Sequence, residues 1–320
     1  MNNLNSEQSE YLYIFSHGLE EGSLCRLEQR VLFEQESDNL IKSTKMIEPN
    51  RSPFIKGRLT ILYSGDSVEE IVKQVNHIEL DNNTFKVLFI KINDLPKNQK
   101  VEFEEQRAIE KKIGWNIIGQ AEMRNPDVLF GIVPFQGRWY FGSYLESESV
   151  WLHHAKKPQE YSTALSTRLA RTVVNIAIPD PTAVRVIDPC CGIGTVLVEA
   201  LSMGIPIVGA DRNPLVVKGA RENIAHFNYH GEVAIQDISE QEGHYDVAII
   251  DMPYNLYSRA TAEEQYTIIQ NARRIADRVV ILTIEDMDEM ILKAGFTIID
   301  RCVANKGLKA LFSRQVVVCK

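Results

Sequence analysis

The apolar positions of this chain change rhythm near residue 150. Before that point, short strand-like runs alternate with helical stripes. Residues 11–15 and 59–63 read as strands, 68–77 as a helix, 85–92 as a strand and 104–113 as a second helix. Two more strands, 128–134 and 139–145, flank Gln136-Gly137, a pair suited to a tight turn. Residues 34–55 are polar and contain proline, so a loop is expected there. Beyond residue 163 the order becomes regular. A helix with Leu165, Leu169, Val173 and Ile176 on one face comes first. Strands then end at Asp188 and cover 205–210, 232–236, 245–250, 278–284, 296–303 and 308–318, with helices over 196–203, 214–227 and 287–294. Asn305-Lys306-Gly307 reads as the turn of a closing antiparallel hairpin. Strand–helix alternation of this kind predicts an open, mostly parallel α/β sheet. The polar stretch 255–264 reads either as a gate or as an ordinary connection.

Chemistry concentrates at the strand ends. Residues 184–195 run from a β-branched strand through Asp188 into Gly192-x-Gly194 and straight on to a helix. Such a glycine turn lets a nucleotide ligand approach the backbone and the helix N-terminus. A dinucleotide site would carry a third glycine where Leu197 stands, and no carboxylate before the glycines. Asp188 suits a ligand with a cationic amino group and no phosphate, such as S-adenosylmethionine. The next strand ends in Asp211, about twenty residues on, the usual place to bind two ribose hydroxyls. The third ends in Asp237, placed to accept from an adenine amino group, and the fourth in Asp251. One such aspartate can simply start a turn or cap a helix. Four in register with one glycine turn mark the carboxyl edge where open α/β sheets bind ligands.

Composition sets bounds on this picture. A chain of 320 residues, 44% of them hydrophobic, can hold two domains with their own cores. No apolar run reaches the length of a membrane span, and the first ten residues are polar rather than a signal peptide. The five cysteines show neither paired nor metal-ligand spacing, so reduced thiols, no metal and a cytoplasmic protein are expected. Cys190 and Cys191 read as small packing residues of the turn rather than nucleophiles. A net charge of −8 gives no long-range attraction to nucleic acid. Phosphate contacts would have to come from local groups: Lys97 and Lys100; Arg107, Lys111 and Lys112; Arg124; or residues 153–157. Small clusters of this kind are equally ordinary solvated faces.

The series of strand-end acids resembles the class I S-adenosylmethionine-dependent methyltransferases. Asp251-Met252-Pro253-Tyr254 looks like the (Asp/Asn)-Pro-Pro-Tyr motif of those that methylate exocyclic amino groups of bases. The resemblance implies that Asp251 and the Met252 carbonyl accept the two amino hydrogens, beside Pro253, while Tyr254 stacks on the base. Met252 departs from the family's proline, keeping the carbonyl and losing the stiffness of the turn. The same resemblance places the methionine part of the cofactor against Asp188, Cys190, Gly192, Gly194 and Thr195. The ribose falls on Asp211, and the adenine near Arg212, Asp237 and Ile238. In the first half, Phe103-x-x-Gln106-Arg107, Ile113-Gly114-Trp115-x-Ile117-x-Gly119, Asn125-Pro126-Asp127-Val128-x-Phe130 and Trp139-Tyr140-Phe141-Gly142 are similar to the latter part of an RNA-binding THUMP domain. Residues 161–177 look like the helix before the glycine turn in THUMP-containing tRNA guanine-N2 methyltransferases, which carries Thr163 and Leu165 over as cofactor contacts.

These resemblances imply an N-terminal ferredoxin-like module over 1–60, a THUMP-like RNA-binding domain over 61–150, a linker over 151–163 and a Rossmann-like methyltransferase domain over 164–320. They imply methyl transfer from S-adenosylmethionine to the N2 of a guanosine, in tRNA, with RNA as partner and no membrane or metal. An rRNA or DNA amino-methyltransferase and a cofactor-binding RNA chaperone without turnover remain as alternatives.

Overall fold

The computed structural model describes residues 9–93, 100–161, 164–253, 260–305 and 313–320. The first half contains β1 (Tyr11–Phe15), α1 (Gly22–Phe33), β2 (Leu40–Ser43), β3 (Ile55–Gly65), α2 (Val68–Val75) and β4 (Glu79–Phe89). It continues with α3 (Phe103–Gly114), β5 (Ile118–Ala121), β6 (Val128–Phe135) and β7 (Arg138–Glu146). The second half holds α4 (Trp151–His154), α5 (Thr167–Ala177), β8 (Val186–Asp188), α6 (Thr195–Ser202), β9 (Ile207–Asp211), α7 (Pro214–His226) and β10 (Glu232–Ile235). It ends with β11 (Tyr245–Asp251), α8 (Ala262–Ile275), β12 (Ala276–Thr283), α9 (Asp288–Lys293), β13 (Ile298–Asn305) and β14 (Ser313–Cys319). Among the described residues, no helix is long and apolar enough to cross a membrane.

The chain forms two units. The first comprises residues 1–16, 37–50 and 54–148; the second comprises 17–36, 51–53 and 149–320. This differs from the division expected from sequence. The expected boundary at residues 60 and 61 falls inside β3. The first unit has one seven-stranded sheet, ordered β2-β1-β3-β7-β6-β4-β5, so the first 60 residues do not form a module of their own. The stretch expected as a loop, 34–55, contributes β2, which pairs antiparallel with β1. Two adjacent apolar side chains explain this: Leu40 and Ile41 are both buried, on opposite faces of the strand, and Leu40 joins Leu12, Ile14 and Leu59 in one core. Helices α2 and α3 bury Ile71, Val75, Ile109 and Ile113 against Phe85, Phe130 and Phe141. Gln136 and Gly137 turn β6 into β7 with φ +50° and +77°, the left-handed pair that tight hairpins require.

The second unit is built on a second seven-stranded sheet, ordered β10-β9-β8-β11-β12-β14-β13. Strands β10 to β12 run parallel to their neighbours, while β14 enters antiparallel between β12 and β13. This is the mixed α/β sheet with an antiparallel last strand that the methyltransferase resemblance implies. The expected hairpin of the last two strands is present, with residues 306–307 of its turn outside the described residues. The predicted stripe of α5 is buried: Leu165 just before it, and Leu169, Val173 and Ile176 on it. Helix α1, which sequence rhythm did not reveal, belongs to this unit and packs against α5 and β13. Its Glu28 is buried, accepting from Ser52 Oγ and from the Asn175 amide, and burial pushes its carboxyl up to about 7.

Only half of the basic side chains of residues 153–157 face solvent: His153 and Lys156 are exposed, whereas His154 and Lys157 are buried. His154 is buried, its Nδ1 donating to Glu199 at 2.8 Å and its Nε2 meeting the Tyr229 hydroxyl at 3.1 Å. Arg171 Nη1 donates to the other Glu199 oxygen at 2.7 Å and to Ser202 Oγ at 2.8 Å. Lys157 is buried as well. The segment ties α4, α5 and α6 together around one buried carboxylate.

Candidate active site

The site grows from the glycine turn after β8. Asp188 ends the strand, and its Oδ1 accepts the Cys190 N–H at 3.2 Å, which folds the chain back. The Cys191 N–H donates to the Ala210 carbonyl at 2.9 Å, fastening the turn to the end of β9. Gly192 and Gly194 have φ +53° and +76°, the left-handed region that glycine enters without a Cβ penalty. A Cβ on Gly192 would lie 2.6 Å from the Tyr161 hydroxyl, so a side chain there would close the approach. Gly194 is the N-cap of α6, and Thr195 is its first residue. Leu197, where a dinucleotide site has glycine, packs on β9, leaving no room for a Cβ at Gly209.

Asp211 ends β9 and links this turn to the next. One of its carboxylate oxygens accepts the Gly192 N–H at 3.0 Å; the other accepts the Asn213 N–H at 2.9 Å. Asp237 follows β10 and caps a short 3-10 turn, accepting from the Ser239 N–H and hydroxyl, which hold its carboxyl below the usual range. Asp251 ends β11. Next to it, the Met252 N–H donates to the Leu282 carbonyl at 2.9 Å and extends the pairing of β11 with β12. Proline has no N–H to make that bond. The Met252 side chain lies in the core with Ile250 and Ile269, which accounts for its departure from the expected pattern.

These strand ends surround one cavity of about 440 Å³ within the second unit. Of the residues singled out from sequence, Leu165, Asp188, Cys190, Gly192, Thr195, Asp211, Arg212, Asp237, Ile238, Asp251, Met252 and Pro253 line it. Gly194 shapes the turn from behind. Thr163 and Tyr254 lie outside the described residues. Other residues on its wall were not anticipated. Tyr161 sits over the glycine turn. Thr261, Glu263, Glu264 and Thr267 reach it from the start of α8. A reciprocal cap, with the Thr261 hydroxyl accepting the Glu264 N–H and the Glu264 carboxylate accepting the Thr261 N–H, starts that helix. Thr261-x-x-Glu264 is the sequence signature that could have found it.

Burial dominates the electrostatics. Asp188 is buried, and burial, reinforced by Asp251 and Asp211, drives its carboxyl well above the ordinary range. Burial also pushes Asp251 up to about 7, opposed by Arg314, whose Nε stands 3.8 Å from Asp251 Oδ1. The Tyr161 phenol is raised to about 12, first by burial and then by Asp251, Asp211 and Asp188 together. A buried cleft lined by several carboxyl groups favours a cationic guest. Among the described residues, Asp251 lines the cavity and its Oδ1 is buried without a hydrogen-bond partner. Cys190 and Cys191 have thiols pushed up by burial and by Asp188, the opposite of an activated nucleophile.

Residues 154–288 match the family model described as RMKL-like, methyltransferase domain. A curated tRNA (guanine(10)-N2)-dimethyltransferase of Methanothermobacter thermautotrophicus is 36% identical over 113 residues, covering 34% of this chain and 33% of that protein. Proteins of the same name from Methanocaldococcus jannaschii and Pyrococcus abyssi are 23% and 25% identical, covering 51% and 68% of this chain and 48% and 70% of theirs. The matched part of this chain thus spans a third and about half of the first two relatives. Strand order, glycine turn and strand-end acids agree with the family match: residues 154–288 are a methyltransferase domain of the RMKL-like family.

Proposed function

We propose that this chain is an S-adenosylmethionine-dependent RNA methyltransferase acting on the exocyclic N2 of guanosine in cytoplasmic tRNA, with guanosine 10 the first position to examine. The observation that carries the reading is the buried Asp251 carboxyl, which makes no hydrogen bond through Oδ1 and lines an acid-lined cavity. An exocyclic amino group brings the donor that this acceptor lacks. The printed names of the three relatives support tRNA, guanine N2 and position 10.

The donor set fits the cofactor, which when bound supplies an electrophilic methyl carbon on a cationic sulfur. Asp188 and Asp211 favour the ligand's positive charges, and the open backbone of Gly192 admits its methionine part. Asp211 accepts from the ribose hydroxyls. Asp237 accepts from the adenine amino group, with Ile238 and Arg212 beside the ring. On the substrate side, the Asp251 carboxylate and the Met252 carbonyl accept the two amino hydrogens and so hold the nitrogen lone pair toward the methyl carbon. Asp251 then takes the proton that the nitrogen sheds as its new bond to carbon forms. A carboxyl poised near pH 7 suits that task. Tyr254 is assigned the stacking role by its place in the motif.

The first unit is the RNA-docking part in this reading. Trp115 there is 76% exposed, with Lys111 Nζ 4.9 Å from its ring centroid, a pairing that offers a base a stacking face beside a cation. The test is transfer of a labelled methyl group to tRNA, rRNA and DNA, followed by nucleoside mass spectrometry. N2-methylguanosine or N2,N2-dimethylguanosine in tRNA is expected. Label on an adenine amino group, preference for rRNA or DNA, or no incorporation overturns the proposal.

A further inference from the structure

Asp251 has one cationic neighbour among the described residues, and it comes from a distant part of the sequence. Arg314 lies on β14, the strand that enters antiparallel beside β12. Its side chain is 4% exposed, and its Nε stands 3.8 Å from Asp251 Oδ1. That is ion-pair reach without a hydrogen bond. The guanidinium therefore acts on the charge of Asp251 without a hydrogen bond to Oδ1, which is itself buried.

The other charged groups around Asp251 push the opposite way or are engaged elsewhere. Asp188 on β8 and Asp211 on β9 are carboxylates of the same cavity, as are Glu263 and Glu264 on α8. Tyr161, above the turn, is a phenol that carries no charge at neutral pH. Helix α5 brings Arg168, held by Glu21 through two hydrogen bonds, and Arg171, held by Glu199. Glu20 and Glu21 share a small pocket with Arg314 on its far side.

We propose that Arg314 is a positioning residue for methyl transfer: it keeps Asp251 ionised, and therefore a pure acceptor, when the substrate amino group arrives. This rests on the role given to Asp251 above. A protonated Asp251 would present a hydroxyl donor to an amino group that is itself a donor, and would have no room for the proton that the reaction releases. Removing an opposite charge at this distance moves a carboxyl upward by about 1–3 pH units.

The experiment compares wild type, Arg314→Gln and Arg314→Lys in the full chain. Carboxyl carbon-13 NMR follows the titration of Asp251, identified by its absence in Asp251→Asn. Single-turnover methylation of tRNA is measured across pH on the same proteins. The expected result is an Asp251 midpoint displaced upward by about one unit or more in Arg314→Gln and less in Arg314→Lys. The acid limb of the rate should move with it, recovering at high pH, with cofactor affinity unchanged. An unmoved midpoint, or a rate lowered equally at every pH, overturns the proposal. If neither variant folds, the Arg314 Nε resonance of the wild-type chain must shift with the Asp251 midpoint, and a pH-independent resonance overturns it. A wild-type protein that binds cofactor and methylates no tRNA refutes the proposed function instead, and the NMR titration still decides the ion pair.

Discussion

Replacing Asp251 by asparagine should stabilise the protein by an amount that grows as pH rises from about 4 to about 7. The wild-type carboxyl rises from its ordinary 3.8 to about 7 on folding, because burial outweighs the help of Arg314. Between those values the folded chain holds a proton that the unfolded chain has released. The contribution to stability is thus complete below about pH 4 and is lost as pH rises through about 7. At about 1.4 kcal/mol per unit, the whole span is about 4.5 kcal/mol. The Asp251 side chain keeps 23% of its exposure, and solvent screening reduces the figure to about 2 kcal/mol. Asparagine has the same shape and no charge to bury. Its contact with Arg314 is the same at every pH and cancels when two pH values are compared. Urea denaturation of Asp251→Asn and wild type at pH 5 and pH 8 provides the measurement. The variant should gain about 1–2 kcal/mol on wild type between the two conditions. An equal difference at both, or a variant that loses ground at pH 8, would refute the reasoning that Asp251 is a carboxylate held ionised against its surroundings for the sake of the site.

Asp211→Ala should weaken cofactor binding by about 1–3 kcal/mol in calorimetric titration, since it loses charged acceptors and frees the Gly192 N–H; unchanged affinity would remove Asp211 from the cofactor site. Glu199→Ala should destabilise the fold by about 3–5 kcal/mol in urea melts, because it strands the buried Arg171 and His154, and a loss within 1 kcal/mol would show that the cluster is not a buried anchor. Cys25, Cys190 and Cys191, all with thiols pushed up by burial, should resist a thiol reagent at pH 8 until the chain unfolds; rapid labelling of Cys190 in the native protein would contradict its packing role.

The catalytic half was legible because its signals are local. Strands β8, β9 and β11 are largely apolar and end in aspartate, and a glycine turn follows β8. Where an element depends on partners far along the chain, sequence said little. Helix α1 is separated from α5 and β13 by much of the first unit, and its burial depends on them. Strand β2 is four residues long within a polar stretch, and pairing with β1 makes it a strand. Helix α8 begins in a polar run, where two glutamates after Thr261 looked like a loop rather than a capped first turn. Residues 153–157 carry basic side chains, yet His154 turns inward to Glu199, and Lys157 is buried with Glu160 within ion-pair reach. Arg314 had no local signature at all. It reaches Asp251 only because β14 inserts between β12 and β13, a long-range pairing that periodicity does not encode.

The central claim is that the Asp251 carboxylate receives the substrate amino group and not the cofactor. Single-turnover methylation of tRNA by Asp251→Ala, run beside cofactor titration of the same protein, tests it most directly. Loss of a charged hydrogen bond of about 1.5–3 kcal/mol predicts a rate lowered at least tenfold, and more if alignment of the nitrogen is lost with it. Cofactor affinity should stay within about twofold of wild type, as expected for a group that does not touch the cofactor. Full activity in Asp251→Ala would contradict the account, and lost cofactor binding in that variant would move Asp251 to the cofactor side of the cavity.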